Sequence, residues 1–188
     1  MENIVETNIN SNETNTYSIY PVFWSNEYMG DIEYIYQMYK DQERRIFDLS
    51  IYTDGGTVLD RVQDAIQNDV VFIVKDDENI VATFTLEDAI MFGDIIVEMK
   101  FHMAVRRTHW GKESRVICKA IKEYLLKRYN FKKIICEVPQ CKYGVIKLLK
   151  DMGLKHEGTL KSCLPYLDKN NVPKWYDKLI YTLTNEEI

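Results

Sequence analysis

The stretch from Ile95 to Pro139 leaves this chain few folds to choose from. It opens with an apolar run of strand character, IIVEMKFHMAV (95–105). A polar turn follows, RRTHWGKESRV (106–116), and then a predicted helix from Ser114 to Asn130. Val116, Ile117, Ala120, Ile121, Tyr124 and Leu125 recur there at helical spacing, with Lys119, Lys122, Glu123 and Lys127 on the other side. The segment ends in FKKIICEVP (131–139), a short strand of buried character stopped by Pro139. Strand, crossover helix and strand make a parallel pair, because parallel neighbours need a long connection. Such pairs are covered on both faces. The rest of the chain therefore has to supply helices for two sides of a sheet.

It has the material to do so. IYPVFW (19–24) is a strand candidate, and Tyr28, Ile32, Ile35, Tyr36 and Tyr39 mark a helix over 27–39. The Tyr-rich side of that helix reads as core, with an acceptor groove as the other possibility. A turn at Asp54-Gly55-Gly56 precedes a second helix, N-capped by Thr57 and apolar at Val58, Val62, Ala65 and Ile66. Val70–Val74 and Ile80–Thr85 are the arms of a hairpin. After Pro139, KYGVIKLLKDMG is a helix with Gly153 as its stop, and KHEGTLK and WYDKLIYTL are two closing strands. The predicted order is β-α-α-β-β-β-α-β-α-β-β. This is a mixed α/β domain: a mostly antiparallel sheet with a central parallel βαβ pair and helices on both faces. Residues 1–17 are polar and without period, and a disordered tail is expected there, followed by a single domain over 18–188.

The charge balance excludes little but sets defaults. A net charge of −5 over 188 residues does not favour nucleic acid or an anionic membrane as partner. No apolar run approaches the roughly 20 residues of a membrane span. The N-terminus lacks the basic start and apolar stretch of a signal peptide, so a cytoplasmic protein is expected. Cys118, Cys136, Cys141 and Cys163 form no CxxC pair and read as free thiols; no metal site is expected.

Three pieces carry a likeness to a known family. They are FHMAVRRTHWGKESRVICKAI; the helix-to-strand segment KYGVIKLLKDMGLKHEGTLK, with Gly153, Leu154 and Glu157-Gly158 in register; and the closing WYDKLIYTL. Over about residues 18–184 the chain resembles the GNAT superfamily of acyl-CoA-dependent N-acyltransferases. The closing strand is similar to that of the ribosomal-protein acetyltransferase branch. Glu98 and His102, in an E-x-x-x-H spacing before the turn, resemble small GNAT-like proteins of bacteriophages. The resemblance implies a GNAT fold, acetyl-CoA as cosubstrate and an amine on a protein, peptide or small molecule as acceptor. In that family an Arg/Gln-x-x-Gly-x-Gly/Ala turn binds the CoA pyrophosphate through backbone N–H groups and the helix dipole. Here Trp110 takes the first place, Glu113 the first glycine and Arg115 the last, and only Gly111 is a glycine of the turn. A carboxylate at Glu113 repels phosphate unless it turns away, and Arg106, Arg107, Lys112 and Arg115 offset it. The family's asparagine at the next helix is Lys142 here, and the tyrosine that protonates the leaving thiolate is Leu149.

The resemblance thus assigns roles. Met103, Ala104 and Val105 supply backbone to the pantetheine arm; Arg107, Trp110, Gly111, Lys112, Glu113, Ser114 and Lys142 surround the cofactor. Acyl transfer to an amine needs a base and a donor for the oxyanion. Imidazoles titrate near neutrality, which makes His102 the first candidate base. Glu98, on the same strand face by two-residue alternation, would orient it or hold the amine. Glu137 ends the adjacent strand, where open α/β sheets bind ligands. The bland readings are a structural histidine and two solvated carboxylates. A second function fits the degraded turn equally well: a catalytically inactive GNAT-fold binding or structural module, phage-encoded, with a protein partner.

Overall fold

The computed structural model describes residues 3–8, 14–41, 57–77, 79–167, 170 and 172–185. The strands are β1 (Asn3–Asn8), β2 (Thr14–Val22), β3 (Val70–Asp76), β4 (Asn79–Phe92), β5 (Ile95–Val105), β6 (Phe131–Pro139), β7 (Lys155–Leu167) and β8 (Pro173–Thr184). The helices are α1 (Met29–Asp41), α2 (Val58–Asn68), α3 (Lys112–Arg128) and α4 (Tyr143–Asp151). One sheet runs in the order β1-β2-β3-β4-β5-β6-β8-β7. Among the described residues only β5 and β6 pair in parallel, and the other pairings are antiparallel. The expected βαβ unit is the centre of the sheet, with α3 as its crossover.

Residues 3–8 and 14–17 are a correction. The expected tail forms β1 and the start of β2, paired from Asn3↔Ile19 to Asn8↔Thr14. An edge strand is held by backbone bonds that need no apolar side chains, so composition alone misses it. The predicted turn at Asp54-Gly55-Gly56 lies outside the described residues.

Strand alternation divides the interior in two. Phe72, Val74, Phe84, Leu86, Met99 and Phe101 face α3 and α4, where Ile117, Ile121, Leu125 and Leu149 meet them. Val71, Ile73 and Ile80 face the other way, onto Ile32 and Ile35 of α1 and Val58, Val62 and Ile66 of α2. Tyr28, Tyr36 and Tyr39 pack against this second core, and Tyr34 is exposed. Thr57 caps α2 as predicted: its hydroxyl accepts from the Asp60 N–H, and the Asp60 carboxylate accepts from the Thr57 N–H.

The decisive local feature is where β5 and β6 part. Their register runs from Ile96↔Phe131 to Lys100↔Ile135 and stops. Beyond it β5 stays with β4 as far as Ala82↔Val105, and β6 stays with β8 as far as Pro139↔Lys178. The two strands diverge, and a wedge opens between residues 101–105 and 136–139. A bulge in β4 between Glu87 and Ile90 lies beside it. Asp88 sits there at φ 49°, and the Lys100 ammonium donates to its carboxylate at 2.7 Å. Bulges re-aim side chains and add twist.

Phe84 lies at the middle of the larger core, fully buried and stacked on Phe72 at 4.6 Å. Phe84→Ala is expected to lower stability by about 3–5 kcal/mol, read as a lower midpoint in urea unfolding.

Candidate active site

The wedge holds a cavity of about 450 Å³. Phe101 to Ala104 line it from β5, and Cys136 to Pro139 from β6. It passes through the sheet. On the α1/α2 side its wall is Tyr39, Arg61, Asp64 and Asp69 with Thr85 and Glu87 of β4. On the other side it meets Lys142, Val145 and Leu149 of α4, and Tyr166 of β7 also lines it.

His102 lies opposite Thr85 on β4. Its Nε2 stands 3.2 Å from Glu87 Oε2. Glu98 does not line the cavity; it pairs with Ile90 and Lys133 further down the strand. Four residues along a strand span roughly 13 Å, so a shared face does not bring Glu98 to the imidazole. Glu87 takes that place from across the strand pair. Glu137 does face the cavity, but the Lys178 ammonium donates to it at 2.7 Å. Glu87 and Asp69 were missed by sequence reasoning. A period-two count forward from the buried Thr83 and Thr85 reaches Glu87; nothing in the sequence marks Asp69, which closes α2.

The carboxyl of Asp69 is pushed up to about 6, by burial first and then by Glu87, Asp88 and Asp64, with His102 pulling weakly the other way. Cys136, also in the wall, has its thiol held well above the ordinary range by burial, so it is a protonated wall group at neutral pH.

The turn after β5 stands next to the cavity, and none of residues 105–116 lines it. Trp110 folds back, half exposed, and its indole N–H donates to the Val105 carbonyl at 2.9 Å. Gly111 opens α3 at φ 97°. That backbone conformation favours glycine, and a side chain there would meet open space rather than a neighbour. Ser114 is buried, and its hydroxyl donates to the Gly111 carbonyl at 2.8 Å. Glu113 is exposed and close enough to Tyr17 that, after burial and Asp76, it helps push that hydroxyl up to about 12. Arg115 pairs with Asp151 of α4 at 3.1 Å, and Arg106 donates to the Tyr34 hydroxyl at 3.0 Å. Arg107 and Lys112 are exposed. Lys142 caps α4 with its ammonium 4.7 Å from the Tyr166 ring centre.

Asp69 gives a pH signature. The native state binds its proton more tightly than the unfolded chain, whose carboxyl sits near 3.8. The charged form therefore opposes folding above about pH 6, and the opposition fades as pH falls towards 4. Asp69→Asn is expected to raise the urea midpoint at pH 8, with the gain shrinking to nothing by pH 4.

A family model described as an acetyltransferase (GNAT) domain matches residues 28–180. No curated protein sequence matches the chain. Among solved structures, the Vibrio fischeri ribosomal-protein-S5-alanine acetyltransferase superposes with a TM-score of 0.66 at 15% identity, covering 97% of this chain and 98% of that one. Mycobacterium smegmatis RimJ in complex with CoA-disulfide gives 0.67 at 15% identity, covering 93% of this chain and 84% of that one. The Vibrio cholerae spermidine N-acetyltransferase in complex with CoA and spermine gives 0.64 at 14% identity, with coverage of 89% and 95%. Identities this low speak for the fold alone. The family model spans most of the sheet, both cores and the wedge, and on that match the chain belongs to the GNAT acetyltransferase family.

Proposed function

We propose that the protein transfers an acyl group, acetyl first among them, from an acyl-CoA to a primary amine. The observation that carries this reading is the freed backbone of Phe101–Ala104, which faces a cavity whose wall also holds the His102–Glu87 pair. A pantetheine arm, itself made of amides, fits along that edge as a third strand would. Its thioester would then lie in the wedge beside Met103 and Ala104, within reach of a backbone N–H as oxyanion donor. The pyrophosphate would meet the turn at Gly111–Ser114, where the first helical N–H groups have no partner within the helix. Arg107 and Lys112 supply exposed positive charge against the exposed Glu113.

His102 is the base. With its Nε2–H held by Glu87, the other ring nitrogen is left to accept a proton from the attacking amine. Asp69, Glu87 and Asp64 make this side of the cavity anionic, which favours an acceptor arriving as an ammonium ion. Two structural relatives, a ribosomal-protein-S5-alanine acetyltransferase and a spermidine N-acetyltransferase, support an amine acceptor. Attack is direct: the Cys136 thiol is too firmly protonated to serve as an intermediate nucleophile.

Calorimetric titration with acetyl-CoA at low salt is expected to give micromolar binding. No binding at millimolar CoA would favour the alternative of a binding module without cofactor. His102→Ala is expected to lower turnover about 100-fold or more at unchanged CoA affinity; equal turnover would remove its role as base.

A further inference from the structure

We infer that Trp110 is an intramolecular latch on the pantetheine edge: its indole N–H occupies the Val105 carbonyl that an amide of the arm would take, and CoA binds by displacing it. This rests on the transfer reading above.

The hydrogen bonds at the end of β5 decide which backbone groups face the opening. The Arg106 N–H donates to the Val81 carbonyl of β4 at 2.8 Å, one step beyond the Ala82↔Val105 pair. Along an antiparallel pair, residues that exchange bonds with the partner strand alternate with residues whose N–H and C=O turn away. Val105 therefore turns its backbone groups away from β4, and Met103 does the same two residues earlier. β6 does not cover that side, because its register with β5 stops at Lys100↔Ile135. The outward carbonyl of Val105 is taken by the chain itself: the Trp110 indole N–H donates to it at 2.9 Å.

That bond stands where a ligand has to pass. An arm that leaves the wedge beside Met103 and reaches the helix start at Gly111–Ser114 runs along Val105. The indole N–H is the one polar group of a tryptophan side chain, and it offers the strand what an amide N–H of the arm would offer. The ring is 46% exposed while Val105 is buried. The indole thus lies over the strand end rather than in the core, and it can leave for water. The net worth of a neutral hydrogen bond corresponds to about a 5-fold change in an equilibrium constant. A closed latch lowers the binding-competent fraction, and apparent affinity falls with it.

Trp110→Phe keeps an aromatic ring and loses the N–H. The test is calorimetric titration of wild type and Trp110→Phe with two probes at low salt. One is CoA. The other is its nucleotide end alone, adenosine 3′-phosphate 5′-diphosphate, which has the pyrophosphate and no amide. Trp110→Phe is expected to bind CoA about 5-fold more tightly than wild type, and the nucleotide with unchanged affinity. Weaker binding of both probes would make Trp110 a support of the turn, and unchanged CoA affinity would mean that the indole bond does not compete; either overturns the latch. A second readout leaves Trp110 in place. The chain has three tryptophans, and the exposed Trp24 and Trp175 can be replaced by Phe. CoA is then expected to shift the Trp110 emission to the red as the ring moves into water, and the nucleotide to leave it where it was. No red shift at saturating CoA overturns the latch even where Trp110→Phe fails to fold. If neither wild type nor Trp110→Phe binds millimolar CoA, the transfer reading fails and this one with it. A wild type that turns over, with CoA affinity unmoved in Trp110→Phe, overturns this one alone.

Discussion

The parting of two parallel strands organises this molecule. β5 and β6 share hydrogen bonds only as far as Lys100↔Ile135. Each is then committed elsewhere: β5 to β4, β6 to β8. A sheet twists, and the bulge at Asp88, pinned by Lys100, adds to the twist beside the opening. Without the gap there would be no cavity and no strand backbone facing a ligand. Nor would there be a passage joining the acidic α1/α2 side to Lys142 and Val145 of α4. Helices on both faces cover the sheet around the opening, and their cores stay separate because side chains alternate.

The turn before α3 departs in residues from the family pattern it resembles. Of the family's glycines only Gly111 remains, and it is the residue whose backbone sits at positive φ. Glu113 and Arg115 stand where the others would be, and Trp110 where the pattern opens. Arg115 pairs with Asp151, and the Trp110 indole donates to the Val105 carbonyl.

The sequence disclosed the fold well. The period of Val116 to Leu125, the stop at Pro139 and the cap at Thr57 each report local physics, and local physics is written in neighbours. β1 escaped because an edge strand rests on backbone bonds alone. Strand order places His102, Met103 and Ala104 of β5 and Glu137 of β6 around one cavity. The site was illegible where two strands must lie side by side. Glu98 looked like the partner of His102 because it is close in the chain; Glu87 is the partner because a hairpin brings it across. Tyr166 likewise reaches the cavity only through the β7–β8 pairing at the far edge.

The two cores have unequal weight, and that bears on how the molecule breathes. The α3/α4 core holds the stacked Phe72 and Phe84 with Tyr124 against them. Among the described residues the α1/α2 core is smaller, and both its helices are shorter than α3. Local opening starts where fewer apolar contacts must be broken. Amide protons of α1 and α2 should therefore exchange before those of α3, and the acid-lined wall can yield to an incoming molecule while β5 and β6 keep their spacing.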